Sequence, residues 1–407
     1  MIGPFVKRRR TLKVLTIIGT RPEAIKLAPV ILALAGRPDI ESVVCVTGQH
    51  RDLVAPVLRL FGIRQDFDLG LMRAGQNLNE LTAGVVVGVD AVLTQVQPDW
   101  VVVQGDTTSA MGGAMAAFGR GVPVAHVEAG LRTHNLQSPR PEEMNRRVID
   151  AFSELLFAPT LQARENLLLE AAPGRVVVTG NTVIDALQAC ATLLTNDDAL
   201  LRSVDAGLPT LDPARRTLLV TGHRRENMGE GVRGVCDALL RLAKRDDLQI
   251  VYVLHPNPEA ELPVRHALSE QANILLTPPL DYLAFIRLMQ LSDLILTDSG
   301  GVQEEAPALG KPVIVTRDFT ERQEAAAAGV ARLVGSDPDL IVSAVNHLLD
   351  DADAYRTQAS RRQLFGDGAA AARIVRVLAG QSVEAWRPAN APRLVDDARA
   401  TASRRRA

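Results

Sequence analysis

Asp106, Glu128, Glu142 and His223 are the side chains best suited to proton chemistry, and each stands where a regular element stops or starts. Asp106 lies in Gly105-Asp106-Thr107-Thr108 and Glu128 in His126-Val127-Glu128-Ala129-Gly130, both at the ends of apolar runs. Glu142 opens a helical stretch after a polar loop, and His223 follows the run from Leu218 to Thr221. Carboxylates crowded into one cleft raise one another's pKa, so one holds a proton at neutral pH while another accepts one. Removing a proton from carbon and returning it needs such a set. Asp106 also reads as a helix N-cap, and any one of the four alone is more often structural. The chemistry rests on all four meeting at strand ends.

A second constellation suits a diphosphate. Leu294-Ile295-Leu296-Thr297 leads into Asp298-Ser299-Gly300-Gly301, and a helical stretch from Val302 to Leu309 leads out. A strand, a Ser-Gly-Gly turn and a helix start present free backbone N–H groups and the positive end of a helix dipole. The two glycines let a ligand approach without a Cβ in the way. Glu304 and Glu305 fall in the first helical turn, from which one can reach a ribose diol. An ordinary strand-to-helix turn with acids favoured by the dipole fits the same residues equally well. After the first apolar run, Gly19-Thr20-Arg21-Pro22-Glu23 adds Arg21, a permanently charged fork for phosphate oxygens, with Lys26 close behind. A local Arg21–Glu23 pair is the alternative.

Positioning these groups takes alternating strands and helices. In the first half, strands are expected from Val14 to Ile18, Val43 to Thr47, Trp100 to Val103, Val122 to Ala125, Leu155 to Phe157 and Val176 to Val178. Helices lie between them, the longest from Leu78 to Val96. The strand runs are continuous in Val, Ile and Leu, as in strands buried on both faces of a parallel sheet. The pattern restarts near Gly180-Asn181, with strands expected from Leu218, Gln249, Ile274, Leu294 and Val313. The stretch 187–213 reads as a helix and a loop. The fold class is therefore α/β, two doubly wound Rossmann-like domains facing a central cleft, with ligands at the strand C-terminal ends. Residues 12–180 form the first domain and 181–367 the second; 1–11 read as a flexible basic leader and 382–407 as a flexible tail.

Composition narrows the class. The 407 residues are 47% apolar and 23% charged, with a formal net charge of -2, which suits a soluble globular protein and argues against a general nucleic-acid binder. Cys45, Cys190 and Cys236 are widely spaced without a Cys-x-x-Cys pair. That fits reduced thiols in a cytoplasmic protein better than a disulfide frame or a zinc site. No apolar stretch reaches the roughly 20 residues of a membrane span. Lys7-Arg8-Arg9-Arg10 before an apolar run imitates a signal peptide, but Lys13 interrupts that run and no small-residue cleavage site follows. With no metal-ligand cluster and no Gly-x-Gly-x-x-Gly turn, no metal, NAD or other cofactor is expected.

The strings Gly-Thr-Arg-Pro-Glu-Ala-Ile-Lys, Gly-Asp-Thr-Thr, His-Val-Glu-Ala-Gly-Leu-Arg-Thr, Pro-Glu-Glu-x-Asn-Arg, Thr-Gly-Asn-Thr-Val-Ile-Asp, Thr-Gly-His-Arg-Arg-Glu and Leu-Thr-Asp-Ser-Gly-Gly-Val-Gln-Glu-Glu-Ala-Pro are spread from Gly19 to Glu324. Together they resemble the non-hydrolysing bacterial UDP-N-acetylglucosamine 2-epimerases. The resemblance implies the B-type glycosyltransferase (GT-B) fold, with a last helix, here 368–381, crossing back to the first domain. It implies reversible C2 epimerisation of UDP-N-acetylglucosamine to UDP-N-acetylmannosamine, a cell-surface polysaccharide precursor. The implied route is loss of the C2 proton with departure of UDP, an enzyme-held 2-acetamidoglucal, then return of UDP and reprotonation on the other face.

By the same resemblance, Asp106, Glu128 and Glu142 share the acid/base work, with no face assigned, and His223 pairs with or protonates the diphosphate. Arg21, Lys26, Arg132, Arg224 and Ser299-Gly300-Gly301 bind substrate, Glu305 and Arg322 hold the ribose side, and the backbone near Phe285 holds uracil. The expected partners are a UDP-sugar and a second copy of the chain, with no nucleic acid and no membrane. There are departures: His134 stands where the family usually has Gly, and Gln323 where it has Pro. Some members bind a second, activating substrate molecule; Gln49, His50, Arg51 and His255 match part of that site, whereas Asp52 and Gly75 do not. Rival readings are a retaining glycosyltransferase, a hydrolysing relative and a non-catalytic nucleotide-sugar sensor. The acid cluster weighs against the first and the last.

Overall fold

Runs of Val, Ile and Leu build two wholly parallel sheets in the computed structural model, which describes residues 11–73, 75–222, 229–255, 257–360 and 363–388. Among these residues the first sheet has seven strands: β1 (Leu12–Ile18), β2 (Ile40–Val46), β3 (Phe67–Asp68), β4 (Trp100–Gln104), β5 (Val124–Val127), β6 (Leu155–Ala158) and β7 (Arg175–Val178). The second has six: β8 (Arg216–Thr221), β9 (Leu248–Val253), β10 (Ile274–Thr277), β11 (Leu294–Thr297), β12 (Val313–Val315) and β13 (Ala331–Leu333). Their orders are β3-β2-β1-β4-β5-β6-β7 and β10-β9-β8-β11-β12-β13. This is the expected two-domain Rossmann-like arrangement of the GT-B fold.

Each order reverses once, between β1 and β4 and between β8 and β11, and a crevice opens at such a switch point beyond the strand C-terminal ends. β1 pairs with β4 from Val14 against Trp100 to Thr16 against Val102. β11 pairs with β8 from Leu294 against Leu218 to Thr297 against Thr221. The chain therefore delivers Thr20-Arg21 beside Gly105-Asp106, and Ser299-Gly300 beside Gly222.

Helix Arg21–Ala35 starts at Thr20, with Pro22 in its first turn and Glu23 completing a capping box. The stretch read as one helix and a loop holds two helices, Thr182–Asn196 and Asp198–Ala206. Asp197 separates them and caps the second by accepting from Ala199 and Leu200. Thr182–Asn196 packs on Arg21–Ala35 of the first half and on Tyr282–Leu291 and Val302–Ala308 of the second. One buried cluster accordingly runs through Ala24, Leu27, Ile184, Leu187, Ile286 and Val302. Each fully buried Leu, Ile or Val contributes about 1.5–3 kcal/mol, so this helix welds the two halves along one edge. Helix Ala370–Leu378 also packs on Arg21–Ala35, with Asp185 accepting from the Ala370 and Ala371 N–H groups at 3.3 and 2.9 Å.

Residues 1–10 of the expected leader and 389–407 of the expected tail lie outside the described residues. Among the described residues no helix is long and apolar enough to cross a membrane. The three cysteines are buried, and burial pushes the Cys45 and Cys190 thiols up to about 12.

Candidate active site

β4 ends at Gln104, and Gly105 turns the chain with φ +74°, a left-handed conformation that glycine adopts without strain. The next residue, Asp106, is half-buried, and its carboxylate accepts from Arg146 Nη2. Asn145 donates to the Asp106 carbonyl at 2.8 Å. The N-cap of helix Thr108–Gly119 is Thr107, whose hydroxyl accepts from the Ala110 N–H at 2.9 Å. Capping therefore falls to the neighbour, and the Asp106 carboxylate stays with Arg146.

Glu128 follows β5 with φ +66°. For a non-glycine residue that region costs on the order of 1–3 kcal/mol and is concentrated at functional sites. Its buried carboxylate accepts from Lys26 Nζ, from Asn181 Nδ2 at 2.8 Å and from Arg146 Nη2 at 3.3 Å. Burial alone would push the Glu128 carboxyl up. Lys26, then Arg146 and Arg322, outweigh that and hold it well below the usual carboxylate range. Glu142 is half-buried at the first position of helix Glu142–Asp150, the helix that supplies Asn145 and Arg146 one turn later.

Beneath these acids lies a layer that draws two residues, His126 and Arg132, from the same motif as Glu128 and joins them to Asp150. His126 is fully buried in β5; its Nε2 donates to the Gly105 carbonyl at 2.7 Å, and its Nδ1 lies 2.7 Å from Asp150 Oδ1. Arg132, expected to bind substrate, belongs to this layer instead. Its guanidinium donates to Asp150 and to Glu170, both at 2.7 Å, with none of the side chain exposed. The structure does not bring it to the cleft, because two carboxylates take up its fork.

The nucleotide-suited half is built differently. Ser299, Gly300 and Gly301 lead from β11 into helix Val302–Ala308. Gly301 has an ordinary helical φ of -64°, so glycine here serves close approach. A Cβ on Gly300 would stand 3.0 Å from Arg322 Nη1. Arg322 Nε in turn donates to Glu304 Oε1 at 2.7 Å, both side chains buried. Glu304 also accepts from Asn181 Nδ2, and burial raises its pKa. Glu305 accepts from the Tyr282 hydroxyl at 2.7 Å, and burial pushes its carboxyl up to about 7.

A cavity spans the two switch points. Arg21 and Lys26 line it from the first half; Gly222, His255, Phe285, Ser299, Gly301 and Glu305 line it from the second. Arg21 Nη1 also donates to the Leu280 carbonyl at 3.4 Å, across the halves. Glu23 turns back on its own helix, accepting from the Thr20 N–H at 2.7 Å and the Thr107 hydroxyl at 3.0 Å. Gln49 accepts from the Ser109 hydroxyl at 2.8 Å, and His50 is the N-cap residue of helix Arg51–Leu60. His223 and Arg224 lie outside the described residues. Among the described residues no group of three or more His, Cys, Asp or Glu side chains is placed to hold a metal.

Sequence reading gave no role to Arg146, Asn181, Tyr282 or the His126–Asp150 pair, and it left Glu304 undivided from Glu305. Arg146 and Asn181 stand inside two of the motif strings, and Asn181 also reads as an N-cap ahead of Thr182, but what each holds is set by partners distant in the chain.

The family model described as UDP-N-acetylglucosamine 2-epimerase matches residues 32–379. Over 368 residues the chain is 50% identical to a probable UDP-N-acetylglucosamine 2-epimerase of Ralstonia solanacearum, covering 90% of this chain and 98% of that one. Over 369 residues it is 48% identical to the UDP-N-acetylglucosamine 2-epimerase of Escherichia coli K12, with the same coverage. The crystal structure of the Neisseria meningitidis UDP-GlcNAc 2-epimerase bound to UDP-GlcNAc is similar with a TM-score of 0.88 at 45% identity, covering 91% of this chain and 100% of that one.

Proposed function

The chain belongs to the UDP-N-acetylglucosamine 2-epimerase family, and we propose that it interconverts UDP-N-acetylglucosamine and UDP-N-acetylmannosamine by elimination and re-addition of UDP. The observation that carries the mechanism is the acid cluster of half-buried Asp106 and buried Glu128, joined by Arg146, beside a cavity lined by Arg21, Ser299, Gly301 and Glu305. A carboxylate takes the C2 proton as the C1–O bond breaks. The electrons of the C–H bond form the C1=C2 bond of 2-acetamidoglucal, and those of the C1–O bond leave on the diphosphate oxygen. In return, that oxygen attacks C1, and a carboxylic acid delivers a proton to C2 from the opposite face.

Arg21 and the backbone N–H groups of Gly300 and Gly301 stabilise the charge that develops on the diphosphate. His223 assists there. Glu305 faces the ribose, with Arg322 behind the turn and Phe285 on the uracil side. In the arrangement described here Glu128 is ionised but a weak base, because Lys26 and Arg146 satisfy it. A diphosphate that draws Lys26, a cavity-lining residue, toward itself removes the largest attractive charge on Glu128 and makes it a better base. Asp106 and Glu142 serve the other proton transfers. A homodimer completes the reading, as does a second UDP-sugar held by Gln49, His50 and His255.

Incubating the purified protein with UDP-N-acetylglucosamine and following the products by proton NMR tests the activity. The expected outcome is an equilibrium mixture of two UDP-sugars. Stoichiometric free sugar with UDP would mean hydrolysis; an unchanged substrate would mean binding without turnover.

A further inference from the structure

We propose that Asn181 is a positioning residue that couples the diphosphate turn to the acid cluster, its side-chain amide bridging Glu128 of one half and Glu304 of the other. This rests on the reading above, in which Glu128 works at C2. Asn181 is 2% exposed, at the start of the helix that welds the halves together. Its Oδ1 accepts from the Val183 N–H at 3.2 Å, which fixes the sense of the amide. Both hydrogens of Nδ2 then point away from the helix, one to Glu128 Oε2 at 2.8 Å and one to Glu304 Oε2.

The two carboxylates belong to one chain of partners. Asp106 and Glu128 share Arg146. Glu128 and Glu304 share Asn181. Glu304 holds Arg322 through its other oxygen at 2.7 Å, and Arg322 lies against Gly300. In this route from Asp106 to the turn, Asn181 is the neutral link between ionisable groups, and it is the step at which the route changes halves. A buried network in which each member is held by the next responds as a unit. An anion that displaces Arg322 at Gly300 therefore shifts Glu304, the amide and finally Glu128.

An N-cap needs only the oxygen, and Asp caps as well as Asn; the two N–H groups are surplus to that duty. Asn181→Asp thus keeps the cap and removes the bridge, whereas Asn181→Ala removes both. In the full chain, both variants are expected to keep UDP affinity and KM within about threefold and to lose kcat by roughly 100-fold, the cost of a misplacement on the order of 1 Å. Wild-type kcat in Asn181→Asp, or a loss carried by KM or UDP affinity alone, overturns the proposal. If Asn181→Asp does not fold, Asn181→Ser decides, since its hydroxyl caps but cannot span two carboxylates: a kcat loss supports the bridge and wild-type kcat overturns it. A wild-type protein without epimerase turnover sinks the functional reading itself, an outcome visible before any variant is made.

Discussion

At the switch point between β1 and β4, the reactive groups are charged side chains held by other charged side chains: Asp106 on Arg146, and Glu128 on Lys26 and Arg146. At the switch point between β8 and β11, the turn Ser299–Gly301 offers backbone, with Arg322 packed behind it. Backbone N–H groups cannot change their charge, whereas carboxylates can. The first arrangement suits a site where protons come and go, the second a site where an anion is held throughout. Two crevices of the same topology have thus been given unlike chemistry by what stands at the strand ends.

The largest expected effect lies beneath the acid half. Arg132→Met strips Asp150 of its guanidinium and leaves it with His126 and the Gly130 N–H, which lies at 3.2 Å. Removing one partner of a buried ion pair costs about 3–5 kcal/mol, so urea unfolding should show a loss of that order with KM little changed. A raised KM at unaltered stability would return Arg132 to the substrate site.

Next in size come the acids themselves. Asp106→Asn, Glu128→Gln and Glu142→Gln should each lower kcat on the order of 100-fold or more while UDP titration calorimetry shows near-normal binding. Near-normal kcat in all three would remove the proton chemistry from this half. Gly300→Val should act in the opposite sense. The added carbon meets a guanidinium pinned by Glu304, so UDP affinity should fall roughly tenfold, about 1.4 kcal/mol. Unaltered affinity would mean the turn does not hold the anion.

The smallest effect is a pH slope. Burial raises Glu305 to about 7 in the folded chain, from an ordinary value of 4.5. Between those values the folded protein keeps a proton that the unfolded chain has lost. The stability linked to that proton is complete below about pH 4.5 and is lost as pH rises through about 7. Glu305→Gln keeps an acceptor for Tyr282 and removes the titration, so its melting temperature should fall less between pH 5 and 8 than that of the parent. Glu23, also buried and raised to about 7, leaves part of the slope in place. An identical slope would contradict the assignment.

The sheets were legible because their strands are unbroken apolar runs. β3 and β13 were not, since two residues paired to Cys45 and Val46 form no run, and Arg332 interrupts the three residues Ala331–Leu333. Asp106 and Glu128 were legible by their places after strands, but not the pairing of Glu128 with Lys26, which lies 102 residues away. Arg132 shares a motif with Glu128 and looks like any phosphate-binding arginine; only the fold turns Asp150 toward it. Glu304 and Glu305 could not be told apart in sequence. At 3.6 residues per turn, neighbours on a helix point roughly 100° apart, and the fold sends Glu304 to Arg322 and Glu305 to the cavity.

The central claim is that a carbon-bound proton leaves C2 to a group of the protein and another returns. Running the reaction to equilibrium in D₂O and recording proton NMR of the product tests it directly. Deuterium at C2 of the UDP-N-acetylmannosamine formed is the predicted result, because the carboxylates exchange with solvent before the return step. A product that keeps its original C2 hydrogen, with no solvent deuterium, would contradict it.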